Sequence, residues 1–202
     1  DDSNVSVNDP TYEKAMDLRV DGKREEAMKL LVAAFAQKAS LELAFGLWDV
    51  SKELERPEEG AVGALHLVRD ALRRNDQEAA ASYWCEIVDV LETVDAEPLL
   101  FVKIAEVFDA AKKPVEAVCA LDCSTRAPRP LPPGLALRAA TLAAEHDTEV
   151  ASRIAKRAVL AGAGSKEELA ALQEFLVKPS ASSETISADE MLVDKRTPGG
   201  EP

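Results

Sequence analysis

The residue types that most often carry chemistry are few in this chain, which has three cysteines and two histidines among 202 residues. Cys119 and Cys123 are four residues apart, so a helix would place both thiols on one face as half of a zinc site. No second pair of cysteine or histidine residues is spaced to complete the tetrahedron. We therefore interpret both as packed helical thiols and expect no metal. His66 and His146 have no nucleophile motif beside them and are expected to be solvated or to cap helices.

The short motifs that build common catalytic centres are missing from the sequence. It contains no G-x-S-x-G turn, no glycine-rich phosphate loop after a strand and no H-E-x-x-H zinc motif. The many carboxylates are typical of solvated helix faces. We therefore expect no enzymatic activity and no cofactor. Trp48 and Trp84 could anchor a partner, but each lies in an apolar helical stripe and is expected to belong to the core.

Charge and cysteine content restrict the partners and the location. The chain has 37 acidic and 24 basic residues, and its net charge of −13 repels nucleic-acid phosphates and anionic lipid surfaces. We therefore expect a protein or peptide partner and no nucleic acid. No apolar run approaches the roughly 20 residues of a membrane span, so direct membrane insertion is not expected. An odd number of cysteines without the spacing of a disulfide framework favours a reducing compartment, with the cytoplasm as the expected location.

Composition and periodicity predict an all-α chain. Aromatic residues make up only 4% of the sequence, whereas residues that favour helices are abundant. Apolar residues recur with helical spacing in ten segments separated by short turns. The predicted helices span 10–20, 23–37, 40–55, 57–74, 76–92, 98–111, 114–125, 134–145, 147–161 and 165–177. Residues 1–9 and 180–202 are predicted to be flexible tails, which leaves one solenoid domain over residues 10–179.

A small residue recurs at one position in successive helices. Ala80, Ala117 and Ala151 are 37 and 34 residues apart, and each follows a predicted turn. The shared spacing is A-x-x-L-like, then a turn, then A-x-x-x-L-x-x-A. Four segments carry it: 8–41, 61–94, 98–131 and 132–165. This pattern resembles the tetratricopeptide repeat, and the resemblance implies a right-handed α-α superhelix of helical hairpins.

Two departures from the repeat predict an irregular array. Ala27 and Ala80 are 53 residues apart, which exceeds one repeat, so helix 40–55 is predicted to be a single inserted helix. Four prolines within residues 127–134 exclude a continuous helix and predict an extended connection there.

The resemblance also implies a binding surface, because the first helices of tetratricopeptide repeats line a concave groove. Transferred by position, the groove residues are Tyr12, Met16 and Arg19 in the first repeat, Leu65, Arg69, Leu72 and Arg73 in the second, Val102, Glu106 and Asp109 in the third, and Ala136, Ala140 and Ala143 in the fourth. The same residues would also fit an ordinary solvated surface. The Lys and Asn set with which some members clamp a peptide's terminal carboxylate is missing, so that clamp is not expected.

Two classes of function remain open at this point. The first is a protein–protein interaction module or scaffold, which a repeat array favours because it offers an extended surface. The second is a regulatory or targeting segment of a larger enzymatic or membrane-anchored protein, which the start at Asp1 rather than at Met favours.

Overall fold

A computed structural model describes residues 9–92 and 95–176 of the chain. These residues form ten α-helices and one 3-10 turn at Val88–Val90, with no strand among them, which confirms the predicted all-α class. The helices are α1 (Pro10–Val20), α2 (Arg24–Gln37), α3 (Leu41–Glu53), α4 (Pro57–Arg73), α5 (Gln77–Ile87), α6 (Pro98–Ala110), α7 (Pro114–Arg126), α8 (Pro133–Ala144), α9 (Thr148–Ala161) and α10 (Lys166–Gln173). Of the predicted tails, 1–9 and 180–202, residues 1–8 and 180–202 lie outside the described residues.

Side chains at the helix starts explain why the helices begin where they do. Ser40, Asp147 and Ser165 are N-caps, since the side chain of each accepts a hydrogen bond from a backbone N–H of the first turn. Asp9, which the sequence assigned to the N-terminal tail, caps α1 in the same way. Five of the described helices begin with proline, whose missing N–H costs no hydrogen bond at that position.

Four turns between consecutive helices share one backbone geometry. Gly22, Glu55, Asn75 and Lys112 all have a positive φ, between 57° and 78°. After each of them, a backbone N–H bonds to the carbonyl five residues earlier, as Lys23 N does to the Leu18 oxygen at 2.8 Å. This hydrogen bond satisfies a carbonyl that the end of the helix leaves without a partner. The same turn geometry therefore recurs even where the residue with positive φ is not glycine.

The repeated turns show that α3 and α4 form a helical hairpin. The turn residues Gly22 and Glu55 are 33 residues apart. Gly60 follows Glu55 by five residues, just as Ala27 follows Gly22 by five. A further turn at Asn75 joins α4 to α5, and α4 packs extensively against both neighbours. The extra helix predicted from the sequence is thus part of a three-helix unit, α3–α4–α5, and does not interrupt the array.

Two glycines of α4 allow α3 to approach closely. A Cβ atom on Gly63 would lie 2.6 Å from the carbonyl oxygen of Ala44, and one on Gly60 would lie 2.0 Å from Ser51 Oγ. The Ala44 oxygen belongs to the backbone of α3, so it cannot give way unless the helix moves. Every residue other than glycine is therefore excluded at position 63 while α3 and α4 stay this close together.

α3 lies between two hydrophobic cores. Leu43, Leu47 and Val50 pack with α1 and α2 in the smaller core. Trp48 belongs to the larger core, which extends from α4 to α10 and includes Trp84. Both tryptophans are only 2% exposed, which confirms the prediction that they are core residues.

A polar contact joins α3 to α5 at the edge of the larger core. Trp48 Nε1 donates to Glu86 Oε2 at 2.8 Å, and Lys52 Nζ donates to the same oxygen at 3.0 Å. Burial raises the pKa of Glu86, but these two hydrogen bonds and the charge of Lys52 outweigh burial, so the net shift lowers the pKa. The ionised carboxylate therefore holds both ends of the three-helix unit together at neutral pH.

Arg157 of α9 holds the proline-rich connection between α7 and α8. Its guanidinium donates to the Ser124 carbonyl oxygen at 3.0 Å and to the carbonyl oxygen of Ala127. Ala127 and Leu131 are buried, and the backbone is extended at Ala127 and Pro132. The predicted extended connection is confirmed, and it is attached to the next repeat.

We expect Gly63→Ala to lower the free energy of unfolding by about 1–3 kcal/mol, because the added methyl group forces α3 and α4 apart. Gly134→Ala is the matched control, since Gly134 lies in the first turn of α8 and an added Cβ would meet nothing closer than 3.7 Å. The control should be neutral or stabilising by up to about 1 kcal/mol. Urea titration followed by circular dichroism measures both variants, and equal stability would contradict the close α3–α4 contact.

Candidate functional site

Two adjoining clefts lie on the surface formed by α4, α6 and α8. The α4–α6 cleft has a volume of about 370 Å³ and is lined by His66, Arg69, Leu72, Arg73, Glu97, Leu99, Leu100 and Lys103. The α6–α8 cleft has a similar volume of about 370 Å³ and is lined by Glu106, Gly134, Leu137, Arg138, Thr141, Leu142 and Glu145. Lys103 and Glu106 are three residues apart on α6, so they lie on one helix face and connect the two clefts.

The structure brings together part of the predicted groove. Arg69, Leu72 and Arg73 all line the α4–α6 cleft, and Glu106 lines the α6–α8 cleft. Asp109 lies about one turn beyond Glu106, where its carboxylate is 3.0 Å from His146 Nε2. These five predicted residues therefore belong to one continuous surface.

Five other predicted groove residues are core residues. Leu65 and Val102 are 2% and 0% exposed, and Ala136, Ala140 and Ala143 are fully buried as well. All five pack in the larger core, so no partner can reach them in the folded chain. Their assignment to the groove is corrected, because repeat spacing determines how residues correspond but not which helix face stays open.

The groove residues predicted in α1 lie elsewhere. Tyr12 and Met16 are half-buried against the smaller core, and neither lines the α4–α6 or the α6–α8 cleft. Arg19 Nε donates to Glu53 Oε1 at 3.0 Å. The Arg19 hydrogen bond lowers the pKa of Glu53, although burial opposes it, and Arg24 adds to the lowering. These side chains connect α1 and α2 to α3.

The sequence prediction missed five residues that line the α4–α6 cleft: His66, Glu97, Leu99, Leu100 and Lys103. Leu99, Lys103 and Glu106 follow one another at intervals of four and three residues, which is the spacing of a single helix face. That periodicity was available in the sequence. Glu97 precedes the helix, and no periodic signal could have identified it.

The α4–α6 cleft is basic, although the chain as a whole is strongly acidic. Arg69, Arg73 and Lys103 face a single lining carboxylate, that of Glu97. Arg69 Nη2 lies 3.6 Å from Glu97 Oε1, and Arg73 Nη2 lies 3.3 Å from Asp70 Oδ1. Within the described residues Lys103 forms no ion pair. The cleft therefore offers positive charge to an anionic group.

His66 packs at the edge of this cleft. Its ring contacts the ring of Phe35 edge to face, with 5.5 Å between the centroids. Burial lowers the pKa of His66, and the positive charge of Arg73 shifts it in the same direction. The imidazole is therefore mainly neutral at pH 7, and its packing differs from the solvated or capping role expected from the sequence.

A third cleft, of about 540 Å³, lies between α5, α6 and α7. It is lined by Gln77, Glu78, Ala81, Ser82, Cys85, Val107, Phe108, Ala111, Lys113 and Glu116. Its two carboxylates and one ammonium group give it the opposite charge balance to the α4–α6 cleft. None of the predicted groove residues lies in it.

The paired cysteines of α7 have different surroundings. Cys119 is exposed and Cys123 is buried, and burial raises the pKa of the Cys123 thiol to about 11. Cys123 is therefore protonated and unreactive near neutral pH. Within residues 9–92 and 95–176, no group of three or more His, Cys, Asp or Glu side chains is arranged to hold a metal ion.

Comparison of the chain with family models, with curated proteins and with solved structures finds no match. The structure itself defines a class of protein: the described residues form an all-α array of paired helices with open clefts on its surface. In the part of the chain that the structure describes, every helix is too short or too polar to cross a membrane.

We expect Ellman's reagent at pH 8 to modify Cys85 and Cys119 rapidly and Cys123 only after a denaturant is added, since Cys123 alone is buried. Cys123→Ala is the control: it should leave the reaction of the native chain unchanged and remove the additional reaction seen after the denaturant is added. If all three thiols of the native chain reacted in one phase, the packing of α7 described above would be wrong.

Proposed function

We propose that this protein is a tetratricopeptide-like protein–protein interaction module or scaffold that binds a peptide or helix along α4, α6 and α8. The observation that supports this most is the pair of adjoining clefts, which together form an extended open surface. A bound segment could contact both clefts along the shared face of α6. Such a surface suits an elongated ligand better than a small substrate, which is usually enclosed.

The lining of the surface also favours a peptide. The α4–α6 cleft combines cationic groups with the apolar side chains of Leu72, Leu99 and Leu100. In the α6–α8 cleft, Arg138 forms an ion pair with Glu106, and Leu137 and Leu142 contribute apolar surface. Apolar contacts supply affinity at such a surface, whereas charged groups supply orientation and specificity.

The proposed partner is a protein because the overall charge disfavours polyanions. A net charge of −13 repels nucleic acid, and the three cations of one cleft are too few to form a long phosphate-binding track. The three free cysteines support a reducing location, and we place the protein in the cytoplasm on that basis.

We expect the double variant Arg69→Glu and Arg73→Glu to weaken binding of a partner by about ten-fold or more, because it replaces two attractive charges with repulsive ones. The partner is first isolated by affinity capture on the wild-type chain and identified by mass spectrometry, and its affinity is then measured by titration calorimetry. Circular dichroism checks that helicity is equal.

The control double variant is Lys14→Glu and Lys156→Glu, which changes the net charge equally at exposed residues of α1 and α9. Its affinity should remain close to that of the wild type. An unchanged affinity in the Arg69 and Arg73 variant, with the fold intact, would place the partner on another surface.

A further inference from the structure

We propose that residues 184–194 of the same chain bind in the α4–α6 cleft and compete there with a partner. This inference rests on the proposed function, since it treats the cleft as a site for peptides. The segment reads ETISADEMLVD and lies outside the described residues. Its sequence, the lining of the cleft and the length of the intervening chain all support the assignment.

The segment and the cleft carry complementary charges. The segment carries four carboxylates, at Glu184, Asp189, Glu190 and Asp194, and no basic residue. The cleft carries three cationic side chains and one carboxylate. In a chain with a net charge of −13, such a cationic cleft attracts an acidic segment while most of the remaining surface repels it.

The apolar residues also match. Leu72, Leu99 and Leu100 line the cleft, and Leu99 is 36% exposed in the described structure. The segment contains Ile186 and the run Met191, Leu192 and Val193 between acidic residues. Binding would remove apolar surface from water on both sides, which adds an attraction that salt does not screen.

Arg69 has hydrogen-bonding capacity that the described residues leave unused. Its Nε atom is buried and has no hydrogen-bond partner, and its Nη2 atom is 3.6 Å from Glu97, beyond normal hydrogen-bond distance. A buried N–H group without a partner is unfavourable. The Arg69 side chain is 35% exposed, so a carboxylate of the segment could accept hydrogen bonds from its terminal Nη groups.

The segment can reach the cleft within one chain. Glu184 is eight residues beyond Leu176, and eight residues can span about 28 Å at roughly 3.5 Å each. α10 packs on α8, and α8 packs on α6, which lines the cleft. Since neighbouring helix axes are about 10 Å apart, two such steps cover roughly 20 Å.

Attachment to the same chain gives the segment an advantage over a free ligand. A short tether produces an effective concentration on the order of 1 mM, so even weak binding would fill most of the clefts. A partner would have to displace the segment. The cleft would therefore select partners that bind more tightly than the chain's own acidic segment.

The test uses a fluorescein-labelled synthetic peptide with the sequence of residues 184–194, titrated with two full-length chains and followed by fluorescence anisotropy. One chain is wild type, and in the other the four acidic residues of the segment are neutralised: Glu184→Gln, Asp189→Asn, Glu190→Gln and Asp194→Asn. We expect the peptide to bind the neutralised chain at least ten times more tightly, because its cleft is no longer occupied. Adding Arg69→Glu and Arg73→Glu to the neutralised chain should abolish binding.

The matched control neutralises four exposed acidic residues elsewhere: Glu13→Gln, Asp17→Asn, Glu167→Gln and Glu174→Gln. It should bind the peptide as weakly as the wild type does. Equal affinity of the wild-type and neutralised chains for the peptide would overturn the proposal. So would the absence of peptide binding, or binding that Arg69→Glu and Arg73→Glu do not weaken. A wild-type dimer in sedimentation equilibrium that disappears in the neutralised chain would also overturn it, because the segment would then occupy a second copy.

This outcome is separable from a failure of the proposed function. If the peptide does not bind but a captured partner still depends on Arg69 and Arg73, the inference is wrong and the interaction surface stands. If neither ligand responds to these two residues, both are wrong.

Discussion

The close contact between α3 and α4 is the constraint on which the rest of the structure depends. Gly60 and Gly63 bring the α4 backbone against α3 so closely that one added carbon atom at Gly63 would overlap the Ala44 carbonyl. α3 contributes to the smaller core through Leu47 and to the larger core through Trp48. A change in the distance between these two helices would therefore loosen both cores at once, because side chains of α3 pack in each of them.

The same contact determines where the candidate site lies. Arg69 and Arg73 belong to α4, as does Gly63, and a helix of this length transmits its position along its axis with little bending. The α3–α4 contact thus sets the position of α4, and α6 supplies the opposite wall of the α4–α6 cleft. Moving Arg69 and Arg73 away from Lys103 would weaken the local positive potential that attracts an anionic group to the cleft.

Helical periodicity was enough to predict the ten helices of the described residues, because apolar spacing and capping residues such as Ser40 and Asp147 act locally. The pairing of α3 with α4 was missed because Gly60 occupies the position in this hairpin that Ala27 occupies in the first one, and a glycine within a helix does not resemble a packing residue. Only part of the site was predicted. Repeat spacing identified Arg69 as a surface residue but also selected the buried Val102, because the open face depends on how the helices are arranged in three dimensions.

Hydrogen exchange followed by mass spectrometry tests the central claim most directly, since it reports the free energy at which each helix opens. If α3 and α4 form one cooperative unit, their amides should exchange together and only at the free energy of global unfolding, including amides near Leu47 and Val68. Peptides from α1 and α10, at the two ends of the array, should exchange sooner. Exchange of α3 together with α1 while α4 remains protected would contradict the account, because α3 would then separate from α4 without unfolding the larger core.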